Sequence, residues 1–299
     1  MTGLLILLGI AAALLGCLYL LGIVVEALRP PRRTLGWAMG RGLPLGPEDL
    51  DRPGILRTLR CADGVELPWW EVAGDAGVAG ADVVLVHGWG RSRWDSLARV
   101  PSVAPVAARV ACLDLRGHGE APRGGTRLGD GDQEDVLALL GELAAAAPGR
   151  TRLLVGHSMG AGVAIRAAAQ AGPEAVQGVI ALAPYESLRT PIEARLRLRG
   201  FPARPWAWLS VKLLRLLGRR DPSASAGAAA LRVPLLVVSA AEDQVSPASE
   251  GRAIAAAAGA GAFHAFPGAD HANPGAGAPE AFAAVLAEFM ARVVPAAPG

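Results

Sequence analysis

The stretch Leu153-Leu154-Val155-Gly156-His157-Ser158-Met159-Gly160 decides the fold. Its apolar first residues predict a short buried β-strand, and the Ala-rich residues 161–171 that follow predict a helix. The glycines two residues to either side of Ser158 relieve crowding where the chain turns sharply from strand into helix. Such a turn lifts the serine hydroxyl above the edge of a sheet, at the positive end of a helix, so the pattern predicts Ser158 as a nucleophile.

Strand-like and helix-like segments alternate on both sides of this turn. The predicted strands are 55–61, 65–73, 83–86, 110–113, 153–155, 178–182, 235–239 and 262–266, and the predicted helices are 132–147, 158–171 and 279–294. This alternation predicts an α/β fold, with a mostly parallel twisted sheet of about eight strands and helices on both faces. Asp63-Gly64 joins the first two strands as a hairpin and adds antiparallel pairing at one edge.

A serine nucleophile needs a base, and the base needs an acid to orient it. His271 is the best base among the five histidines, because it lies in a loop after the last predicted strand. Asp243 is the best acid, because it follows strand 235–239 at the carboxyl end where catalytic groups gather in open α/β sheets. Glu242 is the alternative, whereas Asp270 is too near His271 in sequence to orient it well.

The other four histidines are less suitable as the base. One lies inside the strand–helix turn and is expected to point away from the reacting face, one lies inside a predicted strand, and two belong to other motifs: His157, His264, His87 and His118.

An oxyanion requires two prearranged N–H donors. The backbone N–H of Met159, directly after the nucleophile, is one candidate. His87-Gly88-Trp89-Gly90 follows strand 83–86, and its glycines allow the backbone to approach a substrate. The N–H of Trp89 is therefore the second candidate, although a plain turn would carry the same residues.

On these residues the chain resembles the α/β-hydrolase superfamily over roughly residues 55 to 294. The order Ser158, Asp243, His271 matches that of the family. The loop Asp114-Leu115-Arg116-Gly117-His118-Gly119 is similar to the family's D-x-R-G-H-G loop, which is usually structural. The resemblance implies hydrolysis by a serine, unlike epoxide hydrolases and haloalkane dehalogenases, which use an aspartate. Two departures affect only the subfamily: Glu120-Ala121 replaces a small hydroxyl residue, and Ala240-Ala241 replaces a glycine.

The N-terminal residues 3–25 carry no charge and are long enough to span a hydrocarbon core of about 30 Å. A signal peptide would have a basic residue before the apolar run, and none is present here. A buried core helix would show a polar face, which these residues lack. A membrane anchor over 1–28 fits best, followed by a juxtamembrane linker (29–52) and the catalytic domain (53–299). Four arginines follow the anchor and predict a cytoplasmic catalytic domain: Arg29, Arg32, Arg33 and Arg41.

An insert over residues 185–232 separates two predicted strands and is too long for a simple crossover. In the family such an insert resembles a cap over the active site. Residues 186–221 hold nine basic and three acidic residues, interleaved with Trp206, Trp208 and several leucines. This composition is typical either of an ordinary cap helix with a solvated face or of a helix that rests on an anionic membrane surface.

Composition narrows the function further. A net charge of +2 predicts no nucleic-acid partner, and three scattered cysteines form neither a disulfide framework nor a zinc pattern. We therefore expect no cofactor or metal, and the sequence leaves the oligomeric state open. The chain is interpreted as a membrane-anchored serine hydrolase of carboxylic esters or thioesters, acting on a small acyl-ester or lipid-like substrate. The alternatives are a lysophospholipase or lipase-like enzyme, a peptidase or an acyltransferase with the same triad, and a non-catalytic binding protein, which would be expected to lack a triad member.

Overall fold

The computed structural model describes residues 1–294, and these build one eight-stranded sheet in the order β1-β2-β4-β3-β5-β6-β7-β8. The strands are β1 (Gly54–Arg60), β2 (Glu66–Ala73), β3 (Ala81–Val86), β4 (Ala107–Leu113), β5 (Arg152–His157), β6 (Gly178–Leu182), β7 (Leu235–Ala240) and β8 (Gly261–Phe266). The β1-β2 and β2-β4 pairs are antiparallel, and all other pairs are parallel. The predicted mostly parallel sheet with an antiparallel edge is confirmed.

Helices cover both faces of this sheet. They are α1 (Thr2–Leu28), α2 (Leu35–Met39), α3 (Arg93–Leu97), α4 (Val100–Val103), α5 (Asp132–Ala146), α6 (Met159–Ala171), α7 (Arg189–Leu198), α8 (Arg204–Leu216), α9 (Ala224–Ala229), α10 (Ala248–Ala257) and α11 (Pro279–Val293), with 3-10 turns at Pro47–Leu50, Gly77–Ala79 and Ala104–Val106. Sequence analysis did not predict α3 and α4, because four- and five-residue helices show no helical repeat.

Two apolar cores lie on opposite faces of the sheet. One packs α5, α6, α9 and α10 against it, and the other packs α3, α4 and α11. The central strands β3, β5, β6 and β7 are buried along their whole length, as expected for parallel strands covered on both faces. The edge strand β8 is partly exposed. This double packing fixes the carboxyl ends of the parallel strands at one rim, where the loops after β3, β5, β7 and β8 meet.

Helix α1 is the one helix within residues 1–294 that is long and apolar enough to cross a membrane, with a mean hydropathy of 2.7 in its best window. Its side chains are exposed as far as Leu15, whereas Ile23, Val24 and Ala27 are buried against the rest of the chain.

Residues 29–52 pack against the sheet and the helices that follow them in the chain. Ala38 is fully buried there, and Leu43 and Leu45 pack against the core of the α3–α4–α11 face. Arg32 donates hydrogen bonds to the carbonyls of Gly119 and Ala121. This stretch of chain is thus held in place by the domain that follows it.

The insert 185–232 contains α7, α8 and α9. Helices α7 and α8 contact each other, α8 also runs along α1, and α9 lies back on α6 and α10. A third apolar cluster joins the insert to α1 through Val24, Leu188, Val211 and Leu214. The N-terminal helix and the insert therefore form one layer over the rim of the sheet.

Candidate active site

The structure brings the three predicted catalytic residues together at the carboxyl rim of the sheet. His271 Nε2 lies 2.9 Å from Ser158 Oγ, and His271 Nδ1 lies 2.7 Å from Asp243 Oδ2. Ser158 and Asp243 are buried, and the His271 side chain keeps 19% of its surface exposed. The hydroxyl, the imidazole and the carboxylate thus form an unbroken chain of hydrogen bonds, which allows a proton to leave the hydroxyl as it attacks.

The turn between β5 and α6 holds Ser158 in an unusual backbone conformation. Ser158 has φ 54° and ψ −118°, and its N–H donates to the Leu182 carbonyl at 2.8 Å. A Cβ at Gly156 would lie 2.2 Å from the Gly160 carbonyl oxygen, and one at Gly160 would lie 2.2 Å from that of Val86. Only glycine fits at these two positions, so the sequence pattern enforces a strained turn that costs about 1–3 kcal/mol and projects the hydroxyl outward.

Asp243 is held at both of its carboxylate oxygens. While Oδ2 faces His271, Oδ1 accepts the N–H groups of Val245 at 2.8 Å and Ser246 at 2.9 Å. Backbone donors stabilise the ionised form of a buried carboxylate. The carboxylate is thereby oriented to receive the Nδ1–H of His271, which leaves Nε2 as the basic nitrogen facing Ser158.

The two other acids near the site have different partners. Glu242 is exposed and accepts the N–H of Gly268 at 2.6 Å, and Asp270 accepts the N–H of Ala272 at 2.8 Å. Both carboxylates stabilise the backbone of the His271 loop.

His157, which was expected to point away from the reacting face, contacts the loop of the base. Its Nε2–H donates to the His271 carbonyl at 2.7 Å, and Arg99 donates to the carbonyl of the next residue, Ala272. Burial lowers the pKa of His157 well below its usual value, so its ring is neutral. Sequence reasoning missed this role, because it considered only which way the His157 side chain points from its strand. The loop that carries His271 folds over that side chain and brings a backbone carbonyl within reach of it.

The backbone near Gly88 runs close to Ser158 and leaves one N–H group without a partner among the described residues. A Cβ at Gly88 would lie 3.1 Å from Ser158 Cβ, so the Gly88–Trp89 peptide runs beside the nucleophile. Within residues 1–294, the N–H groups of Trp89 and Met159 make no hydrogen bond to the protein. His87 accepts the Leu115 N–H at 3.0 Å and contacts the Gly88 carbonyl at 2.9 Å, which fixes the loop. Two free donors close to the nucleophile are what an oxyanion requires.

The Asp114–Gly119 loop lies beneath the site. Asp114 is fully buried and accepts the N–H groups of Arg93 at 2.7 Å and Glu120 at 2.9 Å, besides pairing with the Arg93 guanidinium. Burial lowers the pKa of His118 to about 3, and its Nδ1 contacts the Arg116 carbonyl at 3.0 Å. These contacts join α3 to the end of β4, and they support the loop that contains Gly88.

A cavity of about 30 Å³ lies directly beside Ser158. Its lining is mostly apolar and comes from α1, the loop before α5, the insert and the oxyanion loop: Ala27, Trp89, Leu128, Tyr185, Leu188, Pro191, Ile192 and Arg195. The Trp89 indole N–H donates to the Ala27 carbonyl at 2.8 Å, and the Arg195 guanidinium lies 3.7 Å from the centre of the Trp89 ring. The site can thus accept a small apolar group next to the nucleophile. Within residues 1–294 no cluster of three or more His, Cys, Asp or Glu side chains could hold a metal ion.

Comparison with known proteins agrees with this geometry. The sequence profile of the alpha/beta hydrolase family matches residues 83–285, a range that contains Ser158, Asp243 and His271. A probable esterase, PIR7A, from rice (Oryza sativa subsp. indica) is 34% identical over 104 residues, which are 35% of this chain and 39% of the rice protein. The chain therefore matches about two fifths of the length of this curated relative.

Solved structures share the fold. The Pyrococcus furiosus esterase Pf2001 superposes with a TM-score of 0.70 and 21% identity over 90% of this chain and 99% of its own. A thermophilic esterase from Thermogutta terrifontis superposes with a TM-score of 0.59 and 23% identity, covering 81% of this chain and 100% of its own. Because the family profile spans more than half of the sequence and includes all three rim residues, the chain belongs to the alpha/beta hydrolase family.

Proposed function

We propose that this protein is a membrane-anchored serine hydrolase that cleaves carboxylic esters or thioesters through an acyl-enzyme. The observation that carries this proposal is the continuous hydrogen-bond chain from Ser158 through His271 to Asp243. The rice relative and the Pyrococcus and Thermogutta structures are described as esterases, which favours an ester over an amide as the bond that is cleaved.

The first half of the reaction forms the acyl-enzyme. His271 Nε2 accepts the proton of Ser158 Oγ as that oxygen attacks the acyl carbon, and Asp243 stabilises the imidazolium. The negative charge on the former carbonyl oxygen is stabilised by the N–H groups of Met159 and Trp89, with the positive end of α6 behind Met159. His271 then gives its proton to the leaving alcohol or thiol, and the tetrahedral intermediate collapses to the acyl-enzyme.

The second half releases the acid. A water molecule loses a proton to His271 and attacks the acyl carbon, the same N–H groups stabilise the second oxyanion, and Ser158 recovers its proton. Transfer of the acyl group to an alcohol would follow the same steps, with the alcohol in place of water.

Contacts of α1 support an anchor that stays on the protein. The Ala27 carbonyl accepts the Trp89 indole N–H, and the Leu28 carbonyl accepts the Thr126 N–H at 3.0 Å. Glu26 forms a bidentate ion pair with Arg199 at 2.7 and 2.8 Å. Cleavage of α1 as a signal peptide would remove one partner from each of these hydrogen bonds and from the ion pair. It would also expose the apolar cluster of the insert to water. We infer a division into anchor (1–28), juxtamembrane segment (29–52) and catalytic domain (53–299) with its insert (185–232).

The arginines that follow α1 support a cytoplasmic catalytic domain. Arg29 directly follows the helix, Arg32 and Arg33 bond to the catalytic domain, and Arg41 follows α2. We expect the full chain to remain in the membrane fraction after an alkaline carbonate wash, and a chain released by that wash would argue against an integral anchor.

A fluorophosphonate probe tests the catalytic proposal, because it reacts only with a serine that has been activated. We expect the probe to label the full wild-type chain and not the Ser158→Ala variant. Ser102→Ala is the matched control, since Ser102 is an exposed serine outside the site, and it should label like wild type. A folded wild-type chain that neither labels nor hydrolyses an acetyl ester would overturn the proposal.

A further inference from the structure

Helix α1 contributes directly to the candidate active site. Its less exposed side is a stripe at helical spacing that faces the insert, in which Gly16, Tyr19 and Leu20 are half-buried and Ile23, Val24 and Ala27 are buried. The last residue of this stripe, Ala27, forms part of the wall of the cavity beside Ser158. A helix that served only as a tether would not need to reach the nucleophile.

A second cavity, of about 20 Å³, continues from the first along α1. It lies between α1 and α7 and is bounded by Ile23, Glu26, Leu196 and Arg199. The two cavities share four lining residues, namely Ala27, Trp89, Ile192 and Arg195. The stacked side chains of Trp89 and Arg195 are therefore part of the partition between them, and a line of small cavities runs from Ser158 to the surface of the N-terminal helix.

The insert reaches down α1 to a level that belongs in a membrane. An apolar span needs about 20 residues, and the uncharged run covers residues 3–25, so a span within this run ends between Gly22 and Val25. The Trp206 ring lies against Gly16 and meets the Tyr19 ring edge to face, with centroids 5.1 Å apart, and the tilted Phe201 ring lies 5.9 Å from Tyr19. These contacts fall within the last three turns of the span, which places the tip of the insert beside one leaflet.

Apolar side chains at this tip are exposed in the structure. Leu198 is 54% exposed, Phe201 51% and Trp208 47%, although all belong to α7, α8 or the turn between them. Such a group of apolar side chains on a soluble surface would be unfavourable, whereas next to a membrane-spanning helix it can be covered by lipid. The second cavity, which we call the outer cavity, is lined by Ile23 and Glu26 near the end of the span. It therefore lies at the boundary between hydrocarbon and headgroups.

We propose that the substrate is a long-chain acyl ester dissolved in the membrane, and that its acyl chain reaches Ser158 sideways from the leaflet, between α1 and α7. This inference rests on the proposed function and adds the substrate class. The cavity beside Ser158 has room for roughly two water-sized groups, so it holds a short acyl group by itself. Another cavity of about 20 Å³ also adjoins Ser158, but the charged side chains of Arg166 and Asp221 are part of its lining. The outer cavity therefore suits an acyl chain better, with the tail of the chain along the apolar stripe of α1.

The test compares a blocked route with an unblocked one on the same helix. Ile23 lines the outer cavity only, so Ile23→Trp fills it, whereas Leu21→Trp adds the same ring on the exposed side of α1. The full chain is assayed in phosphatidylcholine vesicles with the acetyl and the palmitoyl ester of one chromogenic alcohol. We expect Ile23→Trp to lower the ratio of palmitoyl to acetyl kcat/KM at least about tenfold, and Leu21→Trp to keep the wild-type ratio.

Each outcome separates this inference from the proposed function. If wild type fails to hydrolyse even the acetyl ester, the proposed function fails. If wild type hydrolyses it but Ile23→Trp and Leu21→Trp show the same ratio, lateral entry is wrong and the serine hydrolase stands.

A second measurement needs no variant and so does not depend on how a substitution folds. A palmitoyl-length fluorophosphonate with a diazirine near the end of its chain is first attached to Ser158 in vesicles and then illuminated. We expect its crosslinks in residues 16–27 of α1 or in α7. Crosslinks confined to other parts of the catalytic domain would overturn the proposed route.

Discussion

The floor and the roof of the candidate site are built in different ways. The floor comprises Ser158, Asp243, His271 and the loop at Gly88. These residues follow the ends of buried parallel strands and are fixed by short hydrogen bonds. The roof, which comprises α7, α8 and the end of α1, is held mainly by an apolar cluster and by a few polar contacts such as the Glu26–Arg199 pair. Its outer surface also exposes large apolar side chains.

This difference divides the tasks of the enzyme. A floor with directional bonds holds reacting atoms within tenths of an ångström, as proton transfer and oxyanion stabilisation require. A roof of helices packed through apolar side chains can slide or part at modest cost, as entry of a chain-like substrate requires. We therefore expect substitutions in the floor to change kcat strongly, and substitutions in the roof to change chain-length preference or stability.

The largest effect is expected at the acid of the floor. Asp243→Asn removes the charge that orients the His271 Nδ1–H and favours the wrong tautomer, so kcat should fall by about 10³ to 10⁴. The matched control is Glu242→Gln next to it, whose carboxylate bonds the Gly268 N–H instead, and it should keep kcat within about threefold. Hydrolysis of an acetyl ester measures both, and a Glu242 variant as damaged as the Asp243 variant would move the acid to Glu242.

A buried carboxyl at the start of α5, outside both the floor and the roof, should make stability depend on pH. Asp132 accepts the Gly129 N–H at 2.9 Å with one oxygen, its other oxygen lacks a partner, and burial raises its pKa to about 7. Because the folded state favours the neutral acid, the contribution of Asp132 to the free energy of unfolding is most favourable below about pH 4, falls as the pH rises to about 7, and then levels off, a loss of at most about 4 kcal/mol.

Asp132→Asn should remove this dependence and leave a variant more stable than wild type above pH 7. Chemical denaturation at pH 5, 7 and 8 measures the difference. The exposed Glu134, on the same helix, gives the matched control Glu134→Gln, which should keep the wild-type profile. An Asp132→Asn profile that stays parallel to that of wild type would show that Asp132 is ionised throughout.

The hydrogen bond between His157 and the loop of His271 tests how strongly activity depends on the position of the His271 imidazole. His157→Ala removes the 2.7 Å hydrogen bond to the His271 carbonyl and leaves a void below the imidazole, so kcat should fall about 10- to 100-fold while KM changes less than about twofold. His157→Gln can still donate to that carbonyl and should recover part of the loss. A role limited to general stability would instead lower the melting temperature of both variants without this split between kcat and KM.

Sequence alone could predict the floor better than the roof. The turn around Ser158 is recognisable from sequence, since a Cβ at position 156 or 160 would lie only 2.2 Å from a backbone oxygen and glycine is required at both. Short apolar runs and their order gave the parallel sheet and the candidate residues Asp243 and His271, because strands of one sheet share a rim. The hydrogen bond of His157 and the approach of Ala27 to Ser158 join residues 114 and 131 positions apart in the chain. No local periodicity encodes such contacts, so only the structure reveals them.

The smallest effect is expected for the ion pair of the roof. Glu26→Gln breaks the bidentate contact with Arg199, but both side chains are partly exposed, at 39% and 50%, and such pairs contribute about 0–1 kcal/mol. The melting temperature measured in detergent should therefore fall by no more than about 2 °C. Glu71→Gln removes a similarly exposed pair with Arg57 on the sheet edge and provides the comparison. A much larger loss for Glu26→Gln than for Glu71→Gln would mean that the roof depends on this pair more than on its apolar cluster, and the contrast between floor and roof would have to be redrawn.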